Sequence, residues 1–319
     1  MTLFKHPNFV YCTIIRHSSI TAMVSSDFSS VPAFVLAITW VATSVKESAA
    51  LNFTAEHAPF GTITSDRGEC VIGNPDTYIS TEDLKWIFDN KVEHDAETYN
   101  YWLIDDIVAN NGVINYCIRW DNTNTVLTKE VAEKLQPMLA RQHAAWNRWL
   151  VGYGCWPFEE IEVNVVGFAA RDASNLEWSD DSLGKIYIGD LDENGAPQCP
   201  HTCYRSPDEY TGGWSESSGC ETDPFDVSLW PTEGMGGGMG NYWGMQVDLE
   251  DMLGHLDDEE LEIVSHEMGH AFSLPDFYKG RPANFKPCIM DAGKSSTVTD
   301  TDGWMLRRVL ETKRHNYNF

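Results

Sequence analysis

The chain is poor in basic residues. Lysine and arginine together number 22, against 48 aspartate and glutamate residues, which gives a formal net charge of −26 over 319 residues. An electrostatic field of this sign repels phosphate polymers and anionic lipid surfaces. Nucleic acid is therefore excluded as a partner and no stable membrane association is expected. An acidic surface of this kind keeps a secreted protein soluble.

Long hydrophobic runs are also missing. The uncharged run Val31–Ser44 (VPAFVLAITWVATS) is too short to span a bilayer as a helix and contains a proline. Its length and the small residues that follow it are typical of a secretory signal. We therefore assign residues 1–50 to a signal peptide region and expect a secreted, extracellular protein. A membrane anchor and a buried helix are the alternatives.

Internal repeats and long low-complexity segments are absent as well. The nearest approach to one is the glycine-rich stretch Gly234–Gly244 (GMGGGMGNYWG). Residues 51–110 are acidic and mixed in character, which predicts an N-terminal extension or a propeptide. The hydrophobic pattern sharpens after this point, so residues 111–319 are predicted to form the main domain.

Eight cysteines suit an exported chain. Cys12 precedes the apolar run and leaves with the signal, so an odd number remains, enough for three bridges and one thiol. We expect a Cys155–Cys288 bridge, and a loop stapled by disulfides between Gln198 and Cys220. Two further bridges join four other cysteines in pairs that the sequence does not specify: Cys117, Cys199, Cys203 and Cys220.

Hydrophobic periodicity predicts strands that alternate with helices. Apolar residues recur at helical spacing from Leu127 to Leu150, and Asp257 with Glu260 is spaced as a capping pair for a later helix. The predicted elements are strand Val113–Trp120, helix Val126–Leu150, strands Ile161–Ala170 and Lys185–Asp190, edge strand Asn241–Leu249, and helices Asp257–Ser273 and Asp302–Arg314. This order predicts an α+β fold, with a twisted mixed sheet backed by the long helix.

Two histidines and a glutamate lie within five residues of one predicted helix, in the sequence HEMGH. His266 and His270 are four residues apart, so at about 100° per residue they share a helix face. Both imidazoles can then reach one metal ion at about 2.0–2.1 Å. The side chain of Glu267 points about a third of a turn away from that of His266. This direction favours a position beside a metal-bound water molecule over a role as a third ligand.

A third ligand must come from the place where this helix stops or from another element. Pro275 cannot continue a helix and moves Leu274 out of the helical conformation. Asp276 follows at once, six residues after His270. Two histidines and one aspartate leave a fourth position for water, which is the arrangement of catalytic rather than structural zinc sites.

The stretch HEMGHAFSLPDFY resembles the metzincin zinc peptidases, whose motif is His-Glu-x-x-His-x-x-Gly-x-x-His/Asp, followed by a methionine-bearing turn. Asp276 falls on the third-ligand position, and Met290, in PCIMDAG (Pro287–Gly293, the Met-turn), falls on the methionine. The version with LPD is similar to snapalysin-type proteases. The span from about Asn111 to Arg314 is similar to secreted fungal and actinobacterial proteins regarded as metallopeptidases.

The resemblance implies a zincin-type catalytic domain at residues 111–319, with Zn²⁺ as cofactor and with protein or peptide substrates. It implies a secreted endopeptidase in which Glu267 acts as general base toward a water molecule. It also implies that the segment before the metal-binding helix binds extended substrate by strand addition. We predict that its substrate-binding residues are Gly240, Asn241, Tyr242 and Trp243; a glycine-rich surface loop is the alternative.

The sequence departs from the metzincin motif at one position. Ser273 stands where the family has glycine, so it must adopt a strained backbone, at a cost of about 1 kcal/mol, or a different turn. Asp291 and Asp302 are therefore kept as alternative third ligands. No tyrosine directly follows Met290, where some metzincins place a hydrogen-bond donor. Cys70 faintly resembles the cysteine of a prodomain that caps zinc, and ordinary disulfide pairing is its alternative.

Other functions are open on the sequence alone. The aromatic stretches GYGCWPF (Gly152–Phe158) and TGGW (Thr211–Trp214) are candidate platforms of a non-catalytic module that binds polysaccharide. An inactive peptidase-like protein is a second alternative. A gluzincin peptidase, whose third ligand is a later glutamate, would have to use Glu311. The sequence carries no signal for oligomeric state.

Overall fold

A computed structural model of the chain describes residues 78–93, 102–208, 213–278, 280, 282–283 and 285–319. The predicted signal region at residues 1–50 and the start of the predicted extension, with Cys70, lie outside these residues. Among the helices of the described ranges, none combines the length and the apolar character needed to cross a bilayer.

Six strands form one mixed sheet with β1 near its centre. Along the sheet the order is β3-β2-β1-β6-β8-β7, and neighbours are parallel except β7, which runs antiparallel to β8 at one edge. The strands of this sheet are β1 (Val113–Trp120), β2 (Glu162–Ala170), β3 (Lys185–Ile188), β6 (Val227–Thr232), β7 (Gly238–Asn241) and β8 (Gly244–Asp248). A separate two-stranded ladder joins β4 (Pro207–Asp208) to β5 (Gly213–Trp214).

Six α-helices accompany the sheet in the described residues. They are α1 (Thr81–Ile87), α2 (Leu103–Ala109), α3 (Lys129–Asn147), α4 (Leu249–Gly254), α5 (Glu262–Ala271) and α6 (Asp300–Lys313). The α+β fold with a mixed sheet is therefore confirmed. Strand β1 has the bounds predicted for it, and the long helix begins three residues later than predicted because the side chain of Thr128 caps it by accepting from the Val131 N–H.

Helix α3 holds the N-terminal end of α5 in place. Trp146 Nε1 donates to the Ser265 carbonyl (3.0 Å), and Gln142 Oε1 accepts from the Leu261 N–H (2.8 Å) and the Ser265 hydroxyl (2.6 Å). Leu261 is the N-cap residue of α5 and its side chain cannot cap, so Gln142 supplies the missing acceptor from a neighbouring helix.

The predicted capping pair before α5 is wrong. Helix α5 begins five residues after Asp257, which instead pairs with Lys134 on α3. Glu260 is paired with Arg148 and accepts from the Val298 N–H. Both carboxylates therefore bind partners from other parts of the chain and do not form the helix cap that their spacing in the sequence predicts.

The edge of the sheet also differs from the prediction. The segment Asn241–Leu249 was expected to be the edge strand, but its core, β8, lies between β6 and β7. The edge is the glycine-rich strand β7, which propensity does not predict because glycine is disfavoured in strands. Strand β6 contains Pro231 and was not predicted for a similar reason.

The described helices of the predicted extension belong to the hydrophobic core. Leu84 and Ile87 on α1 and Leu103 and Ile107 on α2 are all buried. The hydroxyl of Tyr78 donates to the carbonyl of Pro287, at the start of the Met-turn. These two helices therefore contribute apolar surface to the same body that carries the metal-binding motif.

Two disulfide bonds lie in the described residues, Cys117–Cys199 and Cys203–Cys220. They settle the pairing of the four cysteines that the sequence left open, and the second one staples the loop predicted after Gln198.

The predicted Cys155–Cys288 bridge is wrong, because Cys155 is in no disulfide. Gly154 lies against Leu310 on α6, whereas the residue after Cys288 is bound by Asp302 at the other end of that helix. Eight residues of helix span about 12 Å, beyond the reach of a disulfide.

Candidate metal centre

Helix α5 carries both histidines and ends within one turn of the second. Ser273 has a φ of +69°, in the left-handed region, so the strained backbone, one of the two expectations for this position, is confirmed. The Ser273 N–H donates to the His270 carbonyl (2.8 Å), and the Leu274 N–H donates to the Gly269 carbonyl (3.0 Å). These two bonds form a Schellman motif, and Pro275 then prevents the helix from continuing.

The turn brings Asp276 close to both imidazoles. Its Oδ1 lies 3.3 Å from Nε2 of His266 and 3.7 Å from Nε2 of His270. Ligand atoms at about 2.0–2.1 Å from a tetrahedral zinc ion lie about 3.4 Å from one another. The three side chains therefore fit a zinc ion, and serine at position 273 does not displace the aspartate. We refer to His266, His270 and Asp276 as the metal centre.

Backbone carbonyls orient the two imidazoles. Nδ1 of His266 is 2.6 Å from the Ile289 carbonyl oxygen, and Nδ1 of His270 is 2.7 Å from the Leu274 carbonyl oxygen. A ring that donates from Nδ1 keeps its lone pair on Nε2, the atom that faces Asp276. The Leu274 carbonyl belongs to the turn that ends α5, so helix termination and ligand orientation are one structural feature.

The ligands shift one another's pKa. Burial alone would raise the pKa of Asp276, but hydrogen bonds from His266 and Tyr278 and the charge of His270 outweigh burial and lower it. Burial, followed by the charge of His266, lowers the pKa of His270. Burial alone would lower the pKa of His266, but hydrogen bonds to Asp276 and to the Ile289 carbonyl outweigh burial and raise it. A metal binds an ionised aspartate and neutral imidazoles, so an ion that enters this site must displace the proton of His266.

Glu267 lies beside the metal centre, and it, His266 and His270 each offer a possible ligand atom within 4.8 Å of the others. Its Oε2 is 3.8 Å from Nε2 of His270, and the side chain is buried. Burial is the main reason that the pKa of this carboxyl is raised to about 7. No side chain or backbone group of the described ranges donates a hydrogen bond to Oε2. An orphaned buried carboxylate oxygen is costly, so its presence indicates a place for a ligand or a reacting water.

The Met-turn lies directly beneath α5. Met290 is fully buried, and Asp302 fixes the turn by accepting from the N–H groups of Ile289 (3.0 Å) and Met290 (3.1 Å). The same carboxylate accepts from the N–H (2.8 Å) and hydroxyl (2.7 Å) of Thr299, the N-cap of α6. Asp302 therefore joins the floor of the metal centre to the C-terminal helix.

The alternative third ligands are not brought to the metal centre. Asp302 is engaged as described, and Asp291 is buried beside Met290 without lining the cleft over the imidazoles. Glu311 bonds to Tyr153 and Arg308 on the far side of α6. Among these acidic residues only Asp276 reaches the two Nε2 atoms, so the first choice of third ligand agrees with the geometry.

Gly269, between the two histidines, makes room for the Met-turn. A Cβ atom there would lie 2.3 Å from Sδ of Met290 and 2.9 Å from Cζ2 of Trp146. We expect Gly269→Ala to lower the free energy of unfolding by about 1–3 kcal/mol through overpacking. Gly254→Ala is the matched control, because a Cβ on this other helical glycine meets nothing within 4 Å. Urea denaturation of both variants measures the difference; equal stabilities would contradict the packing described here.

A cleft of about 570 Å³ opens over the metal centre. Strand β7 forms one wall, and residues Glu262 and Ile263 of α5 form part of another. Of the four predicted substrate-binding residues, only Gly240 lines this cleft. Asn241, the last residue of β7, does not line the cleft, and neither do Tyr242 and Trp243, which form the turn from β7 into β8.

Two aromatic residues of this turn are committed to neighbours in the fold. Tyr242 packs against Trp102, with ring centroids 4.6 Å apart. Trp243 packs against Trp230 at 6.1 Å, and its carbonyl accepts from the Ser228 N–H (2.8 Å). The residues of this segment that line the cleft are therefore Gly237–Gly240, which overlap the predicted substrate-binding residues only at Gly240.

Tyr278 is a site residue that the sequence argument missed. Its side chain is hydrogen-bonded to Asp276 and lines the cleft. The metzincin resemblance points to a tyrosine only at the position after Met290, whereas this hydroxyl comes from the segment after the helix. Its spacing of two residues from the ligand aspartate is the available signal, since residues i and i+2 share a side of an extended chain.

The metal centre thus draws all three ligands from one helix and the turn that ends it, with a buried carboxylate beside them and an open cleft above. The chain matches no model of a known protein family, no curated protein and no solved structure.

Proposed function

We propose that the protein is a secreted zinc-dependent endopeptidase with a metzincin-like fold. The observation that carries the proposal is the convergence of Asp276 Oδ1 on the Nε2 atoms of His266 and His270, with the orphaned Oε2 of Glu267 beside them. Two imidazoles and one carboxylate are the donor set of a catalytic zinc site with one position open.

The order of the elements supports the metzincin-like assignment. The antiparallel edge strand β7 precedes helix α5, and the Met-turn lies beneath that helix and leads into the C-terminal helix α6. The two disulfides suit an oxidising, extracellular compartment.

In this reaction, bound zinc would polarise the peptide carbonyl and lower the pKa of a water molecule toward about 7. Glu267 takes a proton from the attacking water at its carboxylate and returns that proton to the leaving amine. The pKa of about 7 belongs to the metal-free site, and a dication beside this carboxyl would lower that pKa and favour the ionised base. His266 and His270 keep Nε2 directed at the ion through their Nδ1 bonds.

Strand β7 gives the cleft a surface for an extended peptide. It is an edge strand, so one row of its backbone groups has no strand partner in the sheet. A substrate that adds to this edge gains main-chain hydrogen bonds that do not depend on its sequence. Peptides and unfolded protein segments are therefore the proposed substrates.

The polysaccharide-binding alternative finds less support in the fold. In the first candidate platform Tyr153 and Trp156 are buried, and the partly buried Phe158 packs edge-on against Trp156. In the second, Arg205 covers one face of Trp214 at 5.3 Å. A sugar platform requires exposed ring faces. The acidic cleft also suits neutral or basic peptides better than acidic ones.

Metal removal tests the proposed function directly. The purified protein should contain about one equivalent of zinc and hydrolyse casein, and a chelator should abolish the hydrolysis until zinc is added back. Elemental analysis and a fluorogenic peptide assay measure both quantities. Full activity in protein shown to be free of metal would refute the proposal, as would a pure, zinc-loaded protein that cleaves no peptide.

A further inference from the structure

Strand β7 approaches helix α5 so closely that side chains do not fit between them. A Cβ atom on Gly238 would lie 2.2 Å from Oε1 and 2.6 Å from Cδ of Glu267. A Cβ atom on Gly240 would lie 2.0 Å from the backbone carbonyl oxygen of Glu267 and 2.8 Å from Cβ of His270. The two glycines therefore allow the strand to contact both the carboxylate and the main chain of Glu267.

The same two glycines face the open edge of the sheet. The Asp248 N–H donates to the Gly237 carbonyl (2.9 Å), so these residues form a hydrogen-bonded pair of the antiparallel ladder. Such pairs alternate with non-hydrogen-bonded pairs along a strand. Gly238 and Gly240 are at the non-hydrogen-bonded positions, and their N–H and C=O groups point away from β8.

Alternation also places the side chain of Met239, between these glycines, on the opposite face of β7. This side chain is 46% exposed, which agrees with that orientation. The face toward α5 therefore consists of backbone alone, and it is rigid compared with a face made of flexible side chains. A carboxylate in contact with such a face has little freedom to move.

We propose that strand β7 is the positioning element of Glu267, with Gly238 confining the carboxylate and Gly240 confining its backbone. The inference rests on the proposed peptidase function, in which Glu267 is the general base. The edge to which a peptide adds and the surface that confines the base are then one backbone segment. The position of strand β7 therefore determines both where an extended substrate binds and how the carboxylate of Glu267 is oriented toward it.

Gly238→Ala tests this role, with Gly237→Ala as the matched control. Neither glycine has a positive φ, and a Cβ on Gly237 meets nothing within 4 Å. We expect Gly238→Ala to lower kcat about 10–100-fold, since a displacement of about 1 Å costs up to about 100-fold, while KM and zinc content stay within about twofold. The Gly237→Ala protein should match the wild type in all three. A Gly238→Ala enzyme with the kcat of the wild type would overturn the inference.

A double-mutant cycle on stability tests the same contact without any activity. Gly238→Ala should lower Tm by roughly 5 °C in the wild type, and by less than half of that in the Glu267→Ala background, where the carboxylate that it meets is gone. Equal shifts in the two backgrounds would overturn the inference even if the single variant folds poorly. An inactive but zinc-loaded wild type with clear coupling would refute the peptidase proposal and retain the contact.

Discussion

Glu267→Gln should abolish peptide hydrolysis while leaving the protein folded and loaded with zinc. A general base contributes about 100- to 10,000-fold to rate, and glutamine has no proton-accepting carboxylate, so kcat should fall by about that factor. The ligands are unchanged, so zinc content should equal that of the wild type. Since Glu267 is buried with an orphaned oxygen, removing its charge should leave Tm unchanged or slightly raised.

Glu259→Gln is the control for this substitution. It removes the same charge from an exposed position just before α5. Steady-state kinetics, thermal melting and elemental analysis of the two variants separate the loss of the base from a general effect of charge. A Glu267→Gln enzyme within tenfold of the wild-type kcat would show that Glu267 is not the base.

The second large effect is expected at the third ligand. Asp276→Asn preserves shape but replaces an ionised oxygen donor with a neutral amide, so zinc affinity should fall by at least about 100-fold and activity with it. Asp276 is partly exposed, and the turn that carries it is held by backbone bonds, so the metal-free variant should melt near the metal-free wild type. Competition with a chromophoric chelator measures the affinity.

Asp302→Asn should give the opposite result. The Asp302 carboxylate is buried and accepts four hydrogen bonds, from three backbone N–H groups and one hydroxyl, and an amide group cannot accept all of them. We expect the free energy of unfolding to fall by about 3 kcal/mol, or roughly 5–10 °C in Tm. If Asp302→Asn lost zinc at unchanged stability while Asp276→Asn kept it, the ligand assignment would be reversed.

The sequence predicts those parts of the site that depend on short-range geometry. His266 and His270 share a face because four residues make about one helical turn, and the glycine position of the motif fixes the left-handed backbone that Ser273 adopts. Asp276 follows from the proline that stops the helix. Each of these inferences needs only a few consecutive residues, so no knowledge of the rest of the fold is required.

Features that depend on distant parts of the chain were not predictable in this way. Gln142 caps α5 from another helix, and Asp302 holds the Met-turn across twelve residues. The edge strand β7 is composed mostly of glycine, which signals a loop by propensity and becomes a strand only because β8 and α5 lie beside it. The prediction of a Cys155–Cys288 bridge is wrong for the same reason, because the positions of cysteines in a sequence do not give the distances between them in the fold.

The carbonyl of Leu274 has a consequence for the empty and loaded forms of the protein. It accepts a hydrogen bond from Nδ1 of His270 and belongs to the segment that carries Asp276, so fraying of the last turn of α5 would release two of the three proposed ligands together. If the protein binds zinc as proposed, ion uptake and ordering of that turn are linked equilibria, and ion binding stabilises the turn by the same free energy by which the ordered turn favours ion binding. Loss of the ion would therefore make the turn that ends α5 less stable, and fraying of that turn would in the same way weaken binding of the ion.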